Sequence, residues 1–108
     1  MGNVTFISRR PEAMTASQQA KARALEIIGG KAETYAKQLA PVDTGNLRNS
    51  ITHQKLDEDT EIIGTNVYYA PYQEFGTSKM AAHPFLKPAA EGHSEEYKQI
   101  WLNELRKG

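Results

Sequence analysis

The chain has 108 residues, with 13 Lys and Arg against 13 Asp and Glu and no cysteine. That length fits one domain, residues 1–108, with a modest core, and the charge balance supplies no long-range field toward nucleic acid or an anionic membrane. The missing cysteine excludes a disulfide framework, a thiol nucleophile and Cys-ligated zinc or iron–sulfur.

Residues 3–8, NVTFIS, are β-branched and aromatic and predict a short strand. The run MGNVTFISRRPEAM lacks the basic and apolar blocks of a signal peptide. No apolar run reaches the roughly 20 residues of a membrane span, so a soluble, cytoplasmic chain is expected. Arg9 and Arg10 read as a solvated turn.

A long helix follows. Pro11 suits its first position, where a missing N–H leaves nothing unpaired, and Thr15 is a rival start as N-cap. From there to Ala40 the residues are mainly Ala, Gln, Lys, Glu and Leu, which favour helix. Leu25, Ile28, Ala32, Tyr35 and Leu39 recur at spacings of three and four and form one apolar stripe. Glu33 and Lys37 make an i,i+4 pair in the favourable order. Gly29 and Gly30 interrupt the pattern, at about 1 kcal/mol each relative to alanine. Because the stripe keeps its phase across them, they read as a tolerated weak spot or a close approach of helix to sheet rather than a hinge.

Pro41 ends the helix. In PVDTGNLRNS, residues 41–50, Asp43 or Thr44 can cap a helical turn, and Gly45 or Asn46 can take turn conformations other residues resist. Residues 50–56 and 61–67 then predict two strands joined by the polar link DEDT, an antiparallel hairpin. Residues 68–90 hold five of the chain's nine aromatics, with Pro71, Pro84 and Pro88, and read as an irregular aromatic segment. Residues 84–107 predict a second long helix, with Leu86, Ala90, His93, Tyr97, Ile100, Trp101 and Leu105 near one face and Pro88 in its first turn. The expected class is α+β: a small antiparallel sheet, N-terminal strand plus hairpin, packed by two long helices with short helical turns.

Catalytic signals are sparse. His53, His83 and His93 show no metal-ligand spacing, and His93 reads as a packed or rim side chain. Ser50, His83 and Asp43 compose a triad only on paper, with no nucleophile elbow. The glycines make no dinucleotide or phosphate loop, and the acidic residues 57–61 lack a calcium-loop pattern. No enzyme activity, cofactor or metal is expected. About half of the aromatics Tyr68, Tyr69, Tyr72 and Phe75 read as a corner of the core; the rest, together with Met80, Phe85 and Leu86 beside the flexible break Gly76-Thr77-Ser78-Lys79, exceed what so small a core needs and suit an interface.

Three motifs in order carry a resemblance: PVDTGNLRNSI at residues 41–51, YAPYQEFGT at 69–77 and HPFLKPA at 83–89. Together they resemble the tail-component family of long-tailed bacteriophages, which includes head–tail joining and tail-completion proteins. The likeness covers about residues 25–91. It implies an α+β structural protein of the virion neck or tail that assembles as a ring of copies. Its implied partners are connector, head-closure and tail-tube proteins, and it implies no cofactor, membrane or sequence-specific nucleic acid. Assembly in the host cytoplasm is implied as well. By the motifs, Asp43, Thr44, Gly45, Leu47 and Arg48 fix the turn before the hairpin. Tyr69, Pro71, Tyr72, Glu74, Phe75 and Gly76 shape the segment before the loop, and Pro84, Phe85, Leu86 and Pro88 anchor the last helix. Thr77, Ser78, Lys79 and Met80 form the candidate interface loop. The alternatives are a small nucleic-acid-binding protein using Arg9, Arg10, Arg48 and Lys79 with stacking tyrosines, a minor hydrolase built around His83, or a generic oligomeric adaptor, and the neutral charge counts against the first.

Overall fold

The computed structural model describes residues 3–10, 16–41 and 46–108. In chain order the elements are β1 (Asn3–Ser8), α1 (Gln18–Leu39), α2 (Asn46–Ser50), β2 (Thr52–Asp57), β3 (Thr60–Thr65), α3 (Ala70–Phe75), α4 (Leu86–Glu91) and α5 (Ser94–Lys107). The chain is α+β, as its patterning implies. Its three strands form an antiparallel sheet in the order β1-β3-β2. Helix α1 packs on β2 and β3, α5 packs on α1, and α4 lies between α1 and β1.

The hairpin is tight. Asp59 N–H donates to Asp57 Oδ1 at 2.9 Å, and the register shifts between Lys55 and Asp57. The basic pair Arg9-Arg10 is not simply solvated: β1 runs beside β3, so its end meets this turn. Arg9 N–H donates to the Asp59 carbonyl at 2.7 Å, and Arg10 pairs with the Asp57 carboxylate. Both hairpin strands are shorter at their outer ends than expected. Ser50 closes α2 instead of opening β2, its hydroxyl donating to the Leu47 carbonyl at 2.6 Å. Past β3, Val67 N–H turns to the Thr65 hydroxyl at 3.1 Å and leaves the ladder.

Helix α1 starts at Gln18, with Ser17 as N-cap accepting from Ala20 N–H at 3.0 Å. The expected starts, Pro11 and Thr15, lie outside the described residues. The Glu33–Lys37 pair forms, at 2.9 Å. Leu25, Ile28 and Ala32 are buried as the stripe implies, but the stripe then runs through Ala36 and Ala40. Leu39 is 47% exposed and Tyr35 only partly buried. The cause is the small residues. Ala20, Ala24, Gly29, Ala32 and Ala36 bring the helix close to its neighbours, leaving no room beneath it for a large side chain in the last turns. Tyr35 instead lies toward α5, its hydroxyl donating to Glu96 Oε1 at 2.6 Å.

The second long helix is two helices. It breaks at Gly92 and His93, where Gly92 N–H donates to the Pro88 carbonyl at 2.7 Å and His93 leaves helical geometry at φ −125° and ψ 30°. The break lets α5 turn onto α1 while α4 stays against β1. The Tyr97 hydroxyl donates to the Ala89 carbonyl at 2.5 Å, tying the two pieces together, and burial pushes its pKa up. His93 stacks on Tyr35 with ring centroids 3.7 Å apart, a rim position as expected. Trp101 and Tyr97 are fully buried.

The two glycines of α1 differ. A Cβ on Gly29 would overlap Glu61 Oε2 and His53 Nδ1 on the sheet, whereas a Cβ on Gly30 meets nothing within 4 Å. Gly30→Ala is therefore expected to stabilise the chain by up to about 1 kcal/mol, the helix-propensity gain. Gly29→Ala is expected to destabilise it by about 1–3 kcal/mol through overpacking, despite the same gain. Urea unfolding of both variants checks the opposite signs.

Candidate functional site

The aromatic segment is not irregular throughout, because it contains α3. Pro71 sits in the first turn of that helix, and Gly76 ends it, its N–H donating to the Tyr72 carbonyl at 2.8 Å. Gly76 has φ 77°, where side chains are strained, and a Cβ there would lie 2.8 Å from Ala82 N and 2.9 Å from the Met80 carbonyl oxygen. Only glycine suits both demands.

The following break is a closed turn. Thr77 N–H donates to the Met80 carbonyl at 2.8 Å, Met80 N–H returns to the Thr77 carbonyl at 3.3 Å, and Lys79 N–H donates to the Thr77 hydroxyl at 3.1 Å. Ser78 and Lys79 are exposed at its tip. Beyond it His83 N–H donates to the Gln73 carbonyl at 2.7 Å, laying the chain back along α3.

That return delivers the start of α4 to Glu74. The carboxylate is 4% exposed. Its Oε1 accepts from Phe85 N–H at 3.1 Å and Leu86 N–H at 2.9 Å, and its Oε2 accepts from Lys87 N–H at 3.1 Å. Helix N-termini present such donors without intrahelical partners and favour a negative charge. The next residue, Pro88, has no N–H to satisfy. Phe85 and Leu86, expected to exceed the needs of the core, instead belong to it: gripped through their amides, they send their side chains inward.

The remaining motif residues separate. Asp43, Thr44 and Gly45 lie outside the described residues. Leu47 is a core residue and Arg48 is half-buried. Tyr69 packs against the core, while Tyr72 and Phe75 project into solvent with Tyr68. Pro84 is exposed. The paper triad is not assembled: Asp43 is outside the described residues, Ser50 bonds the Leu47 carbonyl and the Thr65 hydroxyl, and His83 lines a separate hollow with Leu39, Gln73 and Met80.

One cluster is absent from the motif reading. Glu61, 1% exposed, places Oε2 2.7 Å from His53 Nδ1 beneath Gly29. His53 Nε2 lies 3.5 Å from Glu26 and 3.8 Å from Glu33 on α1. Burial raises the Glu61 pKa, and the His53 hydrogen bond opposes that rise. A carboxyl raised on folding contributes stability below its unfolded value and loses it as pH climbs through the folded value. The cluster thus acts as a packed support for α1. The only sequence signal for it is a carboxylate at the start of the strand expected over residues 61–67, next to an acidic stretch, and nothing local marks it as buried.

The site is therefore a helix–turn–helix unit locked by a buried carboxylate, displaying aromatic side chains. The fold and this unit define a small α+β domain with large apolar groups at its surface. The profile of the family described as "Bacteriophage HK97-gp10, putative tail-component" matches residues 7–76, and the chain belongs to that family of bacteriophage tail components. The match spans the first motif and all but the last residue of the second, and the HPFLKPA motif lies beyond it. No curated protein and no solved structure matches the chain.

Glu74→Ala leaves three amide donors without their acceptor and is expected to cost about 3 kcal/mol. Glu74→Gln keeps carbonyl acceptance without the charge and is expected to cost about half as much. Denaturant midpoints of the two variants measure the order.

Proposed function

We propose that this chain is a structural part of the virion neck or tail, joining head to tail or completing the tail, and that it assembles as a ring of copies. It works by protein–protein contact and not by catalysis. Its partners in this reading are other copies of itself and the connector, head-closure and tail-tube proteins beside it, met after synthesis in the host cytoplasm. Membership of the tail-component family supports the reading at its coarsest level. The observation that carries it further is the unit just described. Glu74 and Gly76 flank a hydrogen-bonded turn whose tip, Ser78 and Lys79, and whose flank, Tyr72 and Phe75, face solvent. Rigid aromatic side chains on a fixed scaffold are what a contact surface uses, because little side-chain freedom is lost on docking.

The test is deletion of the gene from its parent phage or prophage, followed by electron microscopy of the induced products. Filled heads beside unattached or malformed tails are expected, with infectivity restored when the chain is supplied in trans. Normal infectious particles would remove it from the joint and from tail completion.

A further inference from the structure

The sheet has one face covered by α1, and among the described residues no element covers the other. Residues aligned across the strands share a face, and the register pairs Phe6 with Ile62 and Ile62 with Gln54, then Val4 with Gly64 and Gly64 with Thr52. These two rows lie on the side away from Glu61, Ile63 and His53, which face α1. Phe6 is 57% exposed and Val4 43%. Phe75, 70% exposed, extends the patch beyond β1, lining one cleft with Val4.

The relief of this face is specific. Phe6, more than half exposed, projects from one end of the Phe6–Ile62–Gln54 row, whose Ile62 and Gln54 line the same hollow as the neighbouring row. The Val4–Gly64–Thr52 row beside it has glycine at its centre and forms part of the lining of a hollow of about 300 Å³. None of the six side chains Val4, Phe6, Thr52, Gln54, Ile62 and Phe75 carries a charge, in a chain where 24% of residues do.

We infer that this open face seats a second copy of the same chain. Two observations choose that occupant. First, the two sheet rows carry no charge, and in the cleft beside them Lys87 is accompanied by Glu74 and Glu91, so on a chain of net charge zero the patch meets its own copy without net like-charge repulsion, whereas a nucleic acid would require an excess of cations here. Second, the area fits. With an aromatic side chain covering about 150–250 Å², the exposed parts of Phe6 and Phe75 with Val4 and Ile62 amount to roughly 400 Å² of apolar surface. That is close to the apolar share of the about 800 Å² that each partner contributes to a standard interface. The inference rests on the self-assembly in the proposed function and names the surface that performs it, a surface on the sheet face and not only at the turn 77–80.

The experiment replaces Phe6 with the photo-crosslinker p-benzoylphenylalanine, in the full chain, with Gln99 on the exposed side of α5 replaced the same way as control. Both are irradiated as purified protein at high micromolar concentration and in assembled particles, and crosslinked peptides are mapped by mass spectrometry. A product of twice the chain mass from position 6 and not from 99, its crosslink mapping to this chain, is the expected result. The second variant Ile62→Lys is expected to reduce that product at least tenfold while circular dichroism remains native. No such product in either preparation, or crosslinks from position 6 only to a different virion protein, overturns the inference. Particles shown by mass spectrometry to lack the chain, while the purified protein still crosslinks to itself, would refute the tail reading and leave this interface standing. Particles containing the chain without the crosslink would do the reverse.

Discussion

The contact on which the molecule most depends is the Glu74 carboxylate against the amides of Phe85, Leu86 and Lys87. A buried carboxylate needs partners, and the start of a helix needs acceptors. Each demand alone would be costly in the interior, and together they cancel. The consequences spread in both directions along the chain. Toward the N-terminus, Glu74 must sit in a helix that ends at once, which is why Gly76 takes a positive φ beneath the backbone of Ala82. Toward the C-terminus, fixing the first amides of α4 fixes Phe85 and Leu86 in the core, and the Tyr97 hydroxyl on Ala89 passes that placement to α5.

The other half of the molecule rests on proximity. Alanines along α1 and the bare Cα of Gly29 bring the helix onto the sheet, close enough for the His53–Glu61 pair to sit directly beneath it. With α1 so tightly seated on one face, and α4 and α5 committed to α1, no described element is left for the opposite face of the sheet. A domain of this size has few elements to spend on burial. The open face and the aromatic flank of α3 follow from that shortage, and both are surfaces an assembling protein can use.

Periodicity made the three strands, α1 and the α+β class legible, because each is a local repeat of two or 3.6 residues. The motifs also pointed to the family. Contacts that depend on a long separation stayed hidden. Glu74 acts 11 to 13 residues downstream, and nothing local distinguishes it from any other helical glutamate. The break at Gly92 was masked because apolar residues continue at helical spacing on both sides of it. In α1 the larger Tyr35 and Leu39 drew the stripe away from Ala36 and Ala40, although close packing favours the smaller pair. Glu61 was legible as the first residue of a strand but not as a buried one, because it adjoins an acidic stretch, and the open sheet face was lost because alternation alone does not say which face finds a cover.

Amide hydrogen exchange by NMR tests the central claim most directly. If Glu74 holds the start of α4, the amides of Phe85, Leu86 and Lys87 exchange slowly in the native chain. In Glu74→Gln their protection should fall at least tenfold further than that of Ile28 and Ile63 in the core. Rapid exchange at those three amides in the native chain, or protection unchanged by the substitution, would contradict the account.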